Sequence, residues 1–238
     1  MKNIMKNVLK SLGLIFLFTL ASSCATTKTA LEPAPGTLTS GWGHHEVTEN
    51  LSGVEFTANA DAWKGIPEIV QEVIPIKVIV RNHHGKPITV QYHSFSLVSN
   101  EGRRYAANPP EEIHGTVSLP AETFYTGPSS YYFDDPAMVP YFGYYPGSRT
   151  FAQPFYYDPW WYSRYSGGTM PVQLPTKDMV TEALPEMRVP DGGEISGFIY
   201  FSQISGEKQV NLNMDVVETD GPRIGTISIP FVVEQKKK

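Results

Sequence analysis

The most distinctive reactive side chain in this sequence is Cys24, the single cysteine among 238 residues. One thiol cannot form an intramolecular disulfide, so the fold must be stabilised by its own hydrophobic core. The residues directly before it, Ala21, Ser22 and Ser23, are all small. The chemistry of Cys24 must therefore be inferred from its position in the chain and not from a disulfide partner.

The residues before Cys24 have the three-part pattern of an export signal. Three lysines, at positions 2, 6 and 10, form a basic head without an acidic residue, and an apolar run follows from Leu12 to Leu20. This run has about half of the roughly 20 residues that a membrane-spanning helix needs. We predict that residues 1–23 are a signal peptide.

The stretch from Leu20 to Cys24, Leu-Ala-Ser-Ser-Cys, resembles the bacterial lipoprotein signal. The resemblance implies that Cys24 carries three acyl chains and becomes the mature N-terminus, so the lipid bilayer is the first expected partner. Two or more acyl chains hold a protein stably on a membrane. In Gram-negative lipoproteins an aspartate after the cysteine favours the inner membrane. Ala25 at this place implies the outer membrane, on its periplasmic or cell-surface face.

Histidine and carboxylate pairs are the other groups with potential chemistry. His44-His45 and His83-His84 are adjacent pairs, and neighbours in a strand point to opposite faces, so neither pair makes a natural chelate. Asp134-Asp135 and Asp158 lie beside prolines and are typical of turns rather than of a catalytic cleft. The sequence has no G-x-S-x-G motif and no phosphate-binding loop. We expect no enzymatic activity, no metal and no cofactor.

The charge balance restricts the partners. The chain has 24 acidic and 19 basic residues and a formal net charge of −5. Because three lysines lie in the predicted signal, the mature chain is more acidic still. Nucleic-acid affinity comes largely from neutralised phosphates, so we expect no nucleic-acid partner, and the same charge balance argues against binding anionic lipid headgroups through charge.

Composition and periodicity define the segments that must position these groups. Residues 24–41 are rich in proline, threonine and serine and have no hydrophobic period, so we predict a lipidated tether there. Residues 42–238 form the predicted folded domain. From Val210 to Val216, apolar and polar residues alternate strictly, as in a strand with one buried face. About seven such runs, with turns between them, predict a mainly β, antiparallel, immunoglobulin-like β-sandwich.

Three local irregularities give sharper expectations. The apolar alternation shifts by one residue between Tyr92 and Phe95, which predicts a β-bulge. Pro230 lies inside the last strand and predicts an edge strand or a second bulge. One short helix is expected between Thr176, which suits an N-cap, and Pro185, which cannot continue it. The predicted apolar face of this helix consists of Met179, Val180, Ala183 and Leu184.

Parts of the C-terminal half carry a second resemblance. Ala-Leu-Pro-Glu at 183–186, Val-Pro-Asp-Gly-Gly at 189–193 and Ser-Gly-Phe-Ile-Tyr-Phe at 196–201 resemble a segment of uncharacterised bacterial envelope lipoproteins. Val-Ile-Val-Arg-Asn at 78–82, with the runs at 95–97 and 102–105, is similar to extracytoplasmic immunoglobulin-like domains of unknown function. These resemblances imply a fold and an envelope location. They imply no reaction, so no catalytic residue follows from them.

Residues 124–165 form an aromatic insertion unlike the rest of the domain. They contain ten tyrosines, five phenylalanines, two tryptophans and six prolines, which is incompatible with a regular helix or a central strand. Such a segment could pack on the sandwich, bind a protein, stack on sugar rings or lie at the lipid interface. The candidate residues for binding a ligand or partner are Tyr144, Tyr145, Tyr156, Tyr157, Trp160 and Trp161.

Together these features predict a membrane-anchored lipoprotein of the cell envelope that acts as a non-enzymatic interaction or structural module. Its expected partner is an envelope protein or a glycan. The alternative is a carbohydrate- or peptidoglycan-binding module that uses the aromatic insertion. The sugar-binding alternative requires exposed rings along a groove, whereas a structural role requires rings buried against the sandwich.

Overall fold

The computed structural model describes residues 27–37, 39–40, 45–120 and 169–237. These residues form fourteen strands, one α-helix and three 3₁₀ turns. The helix is α1 (Lys177–Glu182), and the turns are Pro67–Gln71, Tyr92–Ser94 and Pro110–Glu112. The strands are β1 (Thr27–Pro33), β2 (Thr39–Ser40), β3 (Glu46–Leu51), β4 (Val54–Asn59), β5 (Val73–Asn82), β6 (Ile88–Val90), β7 (Phe95–Ser99), β8 (Arg104–Ala106), β9 (Gly115–Pro120), β10 (Thr169–Leu174), β11 (Met187–Val189), β12 (Glu194–Ser202), β13 (Gln209–Glu218) and β14 (Arg223–Lys237).

Two antiparallel sheets pack face to face. In the first sheet β1, β14 and β13 are consecutive neighbours, and the other side of β13 pairs with β7 along one part and with β6 along another. The strand β8 extends β7, and β11 extends β6. The second sheet has the order β12-β5-β4-β3-β2. Within the described ranges, the predicted mainly β, antiparallel sandwich with one short helix is confirmed.

Alternating side chains build the main core between the two sheets. The strand β13 turns residues 210, 212, 214 and 216 inward, and β5 turns residues 74, 76, 78 and 80 inward, and all eight are buried. Phe56 of β4 and Phe95 of β7 contact each other with their ring centroids 5.9 Å apart. Burial of such apolar rows is the main favourable contribution to folding, and it fixes which face of each strand is internal.

The irregularity after Tyr92 is a 3₁₀ turn and not the predicted β-bulge. The turn Tyr92–Ser94 divides one apolar run into β6 and β7. The Ser94 N–H donates to the Gln91 carbonyl at 3.0 Å, so the turn satisfies part of its own backbone. Because β6 and β7 both pair with β13, the turn moves the chain along that strand and returns Phe95 to the core.

Pro230 does not lie on an edge strand, because β14 has β13 on one side and β1 on the other. Its position nevertheless tolerates a missing N–H. Pro33, opposite Phe231, is the last residue of β1 in the ladder, and just beyond it the Ala34 N–H donates to the Pro230 carbonyl at 3.1 Å. The N–H and C=O of one strand residue face the same neighbour, so the donor that proline lacks would lie at the end of this ladder.

The segment predicted as a tether differs in the structure, because residues 27–33 of it form a strand. All seven residues of β1 pair with β14, from Thr27 opposite Lys237 to Pro33 opposite Phe231. Leu31 is 4% exposed and belongs to the main core. The sequence shows no alternation here. A strand that joins an existing sheet is held by hydrogen bonds to the backbone of its partner and does not need an alternating pattern of its own.

The helix α1 forms in the predicted segment, but its apolar face differs from the prediction. Met179 is fully buried, whereas Val180 is 50% exposed. Leu184 is buried but lies beyond the end of the helix at Glu182. The buried side of α1 is therefore narrower than the spacing of apolar residues suggests. In the part of the chain that the structure describes, no helix has the length and apolar character needed to cross a bilayer.

A Leu31→Ala variant tests whether β1 is a structural strand. Removal of a buried leucine side chain costs about 2–4 kcal/mol, so we expect the free energy of unfolding in urea to fall by about that amount. Val180→Ala, at an exposed apolar position, is the matched control and should change the value by less than about 0.5 kcal/mol. A Leu31→Ala variant as stable as the parent would show that β1 does not contribute to the fold.

Candidate functional site

The residues that the sequence selects as site candidates all lie outside the described ranges. They are the predicted lipidation site Cys24 and the aromatic candidates Tyr144, Tyr145, Tyr156, Tyr157, Trp160 and Trp161. The structure describes the framework to which these residues are attached. This framework consists of β1, which begins three residues after Cys24, and of β9 and β10, which flank the aromatic insertion.

The strands β9 and β10 form a two-stranded antiparallel ribbon at the base of the insertion. They pair in register from Gly115 opposite Leu174 to Pro120 opposite Thr169. Paired residues in an antiparallel ladder have their Cα atoms roughly 4.5–5.5 Å apart. Residues 121–168 therefore connect two points of the chain, Pro120 and Thr169, that lie side by side, and the ribbon determines where these two points lie.

A second hydrophobic core fixes this ribbon to the outer face of the second sheet. Phe198 and Tyr200 of β12 point into it, whereas Ile199 and Phe201 point into the main core. The strand β12 is therefore buried on both faces. Trp63 packs edge-on against Phe198, with their ring centroids 4.9 Å apart. The other buried members of the second core are Ile66, Ile69, Val73, Ile113, Val117, Leu119, Val172, Leu174 and Met179.

Hydrogen bonds give the second core a defined geometry. The Tyr200 hydroxyl donates to the Met179 carbonyl at 2.9 Å, which connects β12 to α1. The Asp178 carboxylate accepts from the N–H groups of Ile66 at 2.8 Å and of Met179 at 3.0 Å, and from the Thr176 hydroxyl. Burial raises the pKa of Tyr200, so its phenol remains a donor at neutral pH.

Gly197 allows the chain after α1 to lie directly on β12. The Leu184 N–H donates to the Phe198 carbonyl at 2.9 Å, which covers part of the outer edge of this strand. A Cβ atom at position 197 would overlap the backbone of Ala183 and Leu184. Glycine is needed here because one backbone approaches another without room for a side chain.

A groove of about 330 Å³ opens between the segments that come before and after the ribbon. The Tyr92 side chain lines it and is 6% exposed, and its hydroxyl has no hydrogen-bond partner among the described residues. The Tyr92 backbone N–H donates to the Glu186 carboxylate at 2.6 Å. Burial, and then the charges of Glu111 and Glu186, raise the pKa of Tyr92. The apolar lining residues are Pro109, Pro110, Val180, Ala183, Leu184 and Pro185.

The described lining of this groove combines apolar surface with negative charge. Among the described lining residues, Glu111 and Glu186 carry carboxylates and none is a histidine, cysteine, serine or lysine. The prolines and aliphatic side chains favour apolar contact, and Glu111 and Glu186 favour a positive charge. The sequence gives no signal for this groove, because its lining comes from three separate segments that only the fold brings together.

A polar cluster lies at the end of the sandwich where four turns meet. Asn82 is fully buried there. Its side-chain amide donates to the carbonyls of Lys86 at 2.8 Å and of Val189 at 3.0 Å, and its side-chain oxygen accepts from the His84 N–H at 3.0 Å. The sequence predicts a turn at this place but does not single out Asn82. Asparagine commonly bonds its neighbouring backbone in turns, and this property is the signal that could have identified it.

His84 connects two of these turns through its ring. One ring nitrogen lies 2.7 Å from the Ser52 carbonyl oxygen, and the other lies 3.1 Å from a carboxylate oxygen of Glu218. The Lys86 ammonium lies 3.0 Å from the second oxygen of Glu218. The hydrogen bond to Ser52, and then the one to Glu218, raise the pKa of His84. Hydrogen bonds from Lys86 and His84 lower the pKa of Glu218.

The histidines described by the structure do not form a metal site. The described ranges contain no group of three or more histidine, cysteine, aspartate or glutamate side chains that could hold a metal ion. His83 is exposed, so it does not share the surroundings of His84. His45 lies 3.5 Å from a carboxylate oxygen of Glu32 and 3.9 Å from one of Asp61, which is the geometry of a surface ion pair when His45 is protonated.

Comparisons with known proteins do not assign the chain to a family. No family model matches it, and no curated protein matches its sequence. Among solved structures it is similar to a "putative lipoprotein (ycdA)" from Bacillus subtilis, with 11% identity and a TM-score of 0.32, over 87% of this chain and 38% of that one. It is also similar to the secreted protein MPT63 from Mycobacterium tuberculosis, with 10% identity and a TM-score of 0.28, over 82% of this chain and 99% of that one. Similarity at this level does not define a shared fold.

The contact between His84 and Glu218 predicts a pH-dependent contribution to stability. Because folding raises the pKa of His84 above 6.5, this contribution is complete below pH 6.5 and is lost as the pH rises through the raised value. We therefore expect the melting temperature of the parent to fall, relative to that of His84→Gln, as the pH increases from 6.5. His83→Gln is the matched control and should keep the pH profile of the parent. An NMR titration that gives His84 a pKa of 6.5 or lower would contradict this interpretation.

Proposed function

We propose that this protein is a lipoprotein of the bacterial cell envelope, held at the outer membrane through acylated Cys24. Its role in this proposal is to present the aromatic insertion to a partner, without catalysing a reaction. The observation that supports this most strongly is the ribbon of β9 and β10. The ribbon fixes the base of residues 121–168 to the sandwich through a hydrophobic core of its own.

The second core is larger than the attachment of an ordinary surface loop requires. Eleven buried apolar side chains, separate from the main core, hold the ribbon, α1 and the Pro67–Gln71 turn together on β12. Binding residues are commonly found on loops that a rigid scaffold positions. Tyrosine and tryptophan bury a large area at a low cost in conformational entropy, so an aromatic segment on a rigid base is suited to contact with another protein.

The groove beside the ribbon supports the same role. Residues 109–111 contribute to it shortly before β9, and α1 and residues 183–186 contribute after β10. A partner that contacts the insertion near its base is therefore also close to the groove. Glu111 and Glu186 favour a basic segment of that partner through charge complementarity. An envelope protein with an exposed basic segment is the partner class that we propose.

The position of β1 brings the proposed anchor close to the fold. Thr27 follows Cys24 by three residues, and an extended chain covers at most about 3.6 Å per residue. Acyl chains on Cys24 would then lie within about 11 Å of the first strand. The sandwich would be held at the membrane surface itself, and not at the end of the longer tether that the sequence suggests.

Acylation is tested with the Cys24→Ser variant in cells. Loss of the acyl chains removes the proposed anchor, so we expect the variant in the soluble envelope fraction and the parent with the membranes after a high-salt wash. Ser22→Ala keeps the cysteine and is the control, which should fractionate as the parent does. A Cys24→Ser variant that stays with the membranes, or a mature parent with an unmodified thiol by mass spectrometry, would refute the anchor.

The role of the insertion is tested by replacing residues 124–165 with a short glycine–serine linker. The ribbon and the second core remain, so we expect circular dichroism and the unfolding midpoint to stay close to those of the parent. In-cell cross-linking of the anchored protein should lose its envelope protein partners. The double variant Trp160→Ala, Trp161→Ala should show a partial loss, because it removes only two of the aromatic side chains.

An unchanged set of cross-linked partners after the replacement would refute presentation by the insertion. Sedimentation with purified peptidoglycan tests the alternative function. If the parent sediments with peptidoglycan and the replacement variant does not, the partner is a glycan and the alternative function is correct.

A further inference from the structure

The groove beside the ribbon includes a residue with an unsatisfied polar group. Tyr92 is 6% exposed, and its hydroxyl has no hydrogen-bond partner among the described residues. A buried polar atom without a partner costs free energy, and such atoms are rare in native structures. A ligand in the groove that forms a hydrogen bond with this hydroxyl would remove the cost.

The two carboxylates of the groove act on the same phenol. After burial, the charges of Glu111 and Glu186 are the next causes of the raised pKa of Tyr92, so the phenol lies within electrostatic reach of both. One oxygen of Glu186 accepts from the Tyr92 N–H at 2.6 Å, which holds this carboxylate beside Tyr92. No lysine or arginine occurs among the described lining residues. The described part of the groove therefore combines negative charge with an unused hydroxyl.

Exposed apolar side chains accompany these polar groups. Among the described residues, Val180 and Met187 are the two large hydrophobic side chains that are exposed, at 50% and 45%. Val180 lines the groove, and Met187 directly follows Glu186. The volume of about 330 Å³ lies near the lower end of the range for ligand pockets, which is about 300–1,000 Å³. The groove is thus suited to one side chain and its neighbours rather than to a broad folded surface.

We propose that the groove binds one lysine or arginine side chain of an extended and otherwise apolar segment of the partner protein. The cation would contact the carboxylates of Glu111 and Glu186 and donate a hydrogen bond to the Tyr92 hydroxyl. The residues on either side of it would pack against Val180 and Met187. This proposal deepens the proposed function and rests on it for the class of partner.

Lysine and arginine match both parts of the groove. Each has a charged head that only donates hydrogen bonds, which suits two carboxylates and a hydroxyl that can accept. Each also has an aliphatic stem that can lie along apolar surface while its head remains polar. The prolines of the groove, Pro109, Pro110 and Pro185, provide such a surface. An apolar side chain would leave the carboxylates unpaired, and an acidic one would be repelled by them.

The test measures binding of capped peptides to the mature chain, residues 24–238, which contains every described element. The first peptide has one lysine between two leucines, with an alanine at each end. The second has norleucine in place of lysine, which keeps the aliphatic stem and removes the charge. Dissociation constants are measured by NMR titration at about 150 mM salt, where exposed charges are screened beyond about 8 Å. The Tyr92 N–H, which is bonded to Glu186, reports from the groove itself.

We expect the parent to bind the lysine peptide about tenfold more tightly than the norleucine peptide, because each exposed ion pair contributes about threefold. The double variant Glu111→Gln, Glu186→Gln keeps a hydrogen-bond acceptor at both positions and should bind the two peptides equally. The matched control Glu112→Gln, Glu182→Gln removes the same charge at two exposed positions that do not line the groove. The control should keep the preference to within about twofold.

A Tyr92→Phe variant separates binding from structure. It removes a hydroxyl that has no partner among the described residues, so the variant should be at least as stable in urea as the parent. It should nevertheless bind the lysine peptide about fivefold more weakly, because one hydrogen bond to the cation is lost. A tyrosine with only a structural role would change stability and leave binding as it was. Tyr105→Phe, which loses a hydrogen bond to Glu207, is the control and should keep the affinity.

Equal binding of the two peptides by the parent would overturn the proposal, as would an equal loss of preference in the two double variants. Sedimentation velocity of the parent excludes another occupant. A dimer that dissociates in the variant Glu111→Gln, Glu186→Gln would show that the groove holds a second copy of the chain, which would also overturn the proposal.

The failure of this inference and that of the proposed function can be told apart. The peptide titration does not depend on Cys24 or on cross-linked partners. Partners that are lost with residues 124–165, together with no preference for lysine, would support presentation by the insertion and refute the role of the groove. Unchanged cross-linked partners together with the lysine preference would refute presentation and support the groove.

Discussion

Burial of β12 on both faces is the interaction on which the rest of this architecture depends. Its inward residues, Ile199 and Phe201, complete the main core, and its outward residues, Phe198 and Tyr200, form the floor of the second core. A strand of a sandwich usually exposes one face, and an exposed outer face here would leave the ribbon without a hydrophobic attachment. The ribbon, α1 and the groove are all built on this second buried face. Gly197 belongs to the same strand and allows the chain after α1 to approach its edge.

The second organising contact is the pairing of β1 with β14. This ladder converts a segment of tether-like composition into the outermost strand of the first sheet and places Leu31 in the main core. It also protects the edge that β14 would otherwise expose, which reduces the risk of pairing with another chain. In the proposed function the same ladder controls the distance between the anchor and the fold. One set of backbone hydrogen bonds would thus serve both the stability of the fold and the position of the proposed anchor.

Prediction from the sequence succeeded where a local pattern has one physical cause. The strict alternation from Val210 to Val216 gave the buried face of β13 correctly, because a strand with one face in the core requires a period of two. It failed where tertiary contacts replace local preference. A 3₁₀ turn at Tyr92–Ser94 produces the same shift of phase as a bulge, so the pattern could not distinguish them. The candidate residues of the aromatic insertion and Cys24 lie outside the described ranges, and their roles remain predictions.

The sequence by itself determined the fold class, because alternating apolar residues and turn-forming residues are local properties that each strand displays on its own. It also located the short helix and the turn before Gly85. Only the tertiary structure decided which strands are neighbours, since register depends on contacts between residues far apart in the chain. The lining of the groove and the contacts of His84 with Ser52 and Glu218 both arise in this way. In each case the residues are far apart in the sequence, and no spacing of residues predicts that they lie close together. They are brought together by hydrophobic cores that many strands form at once.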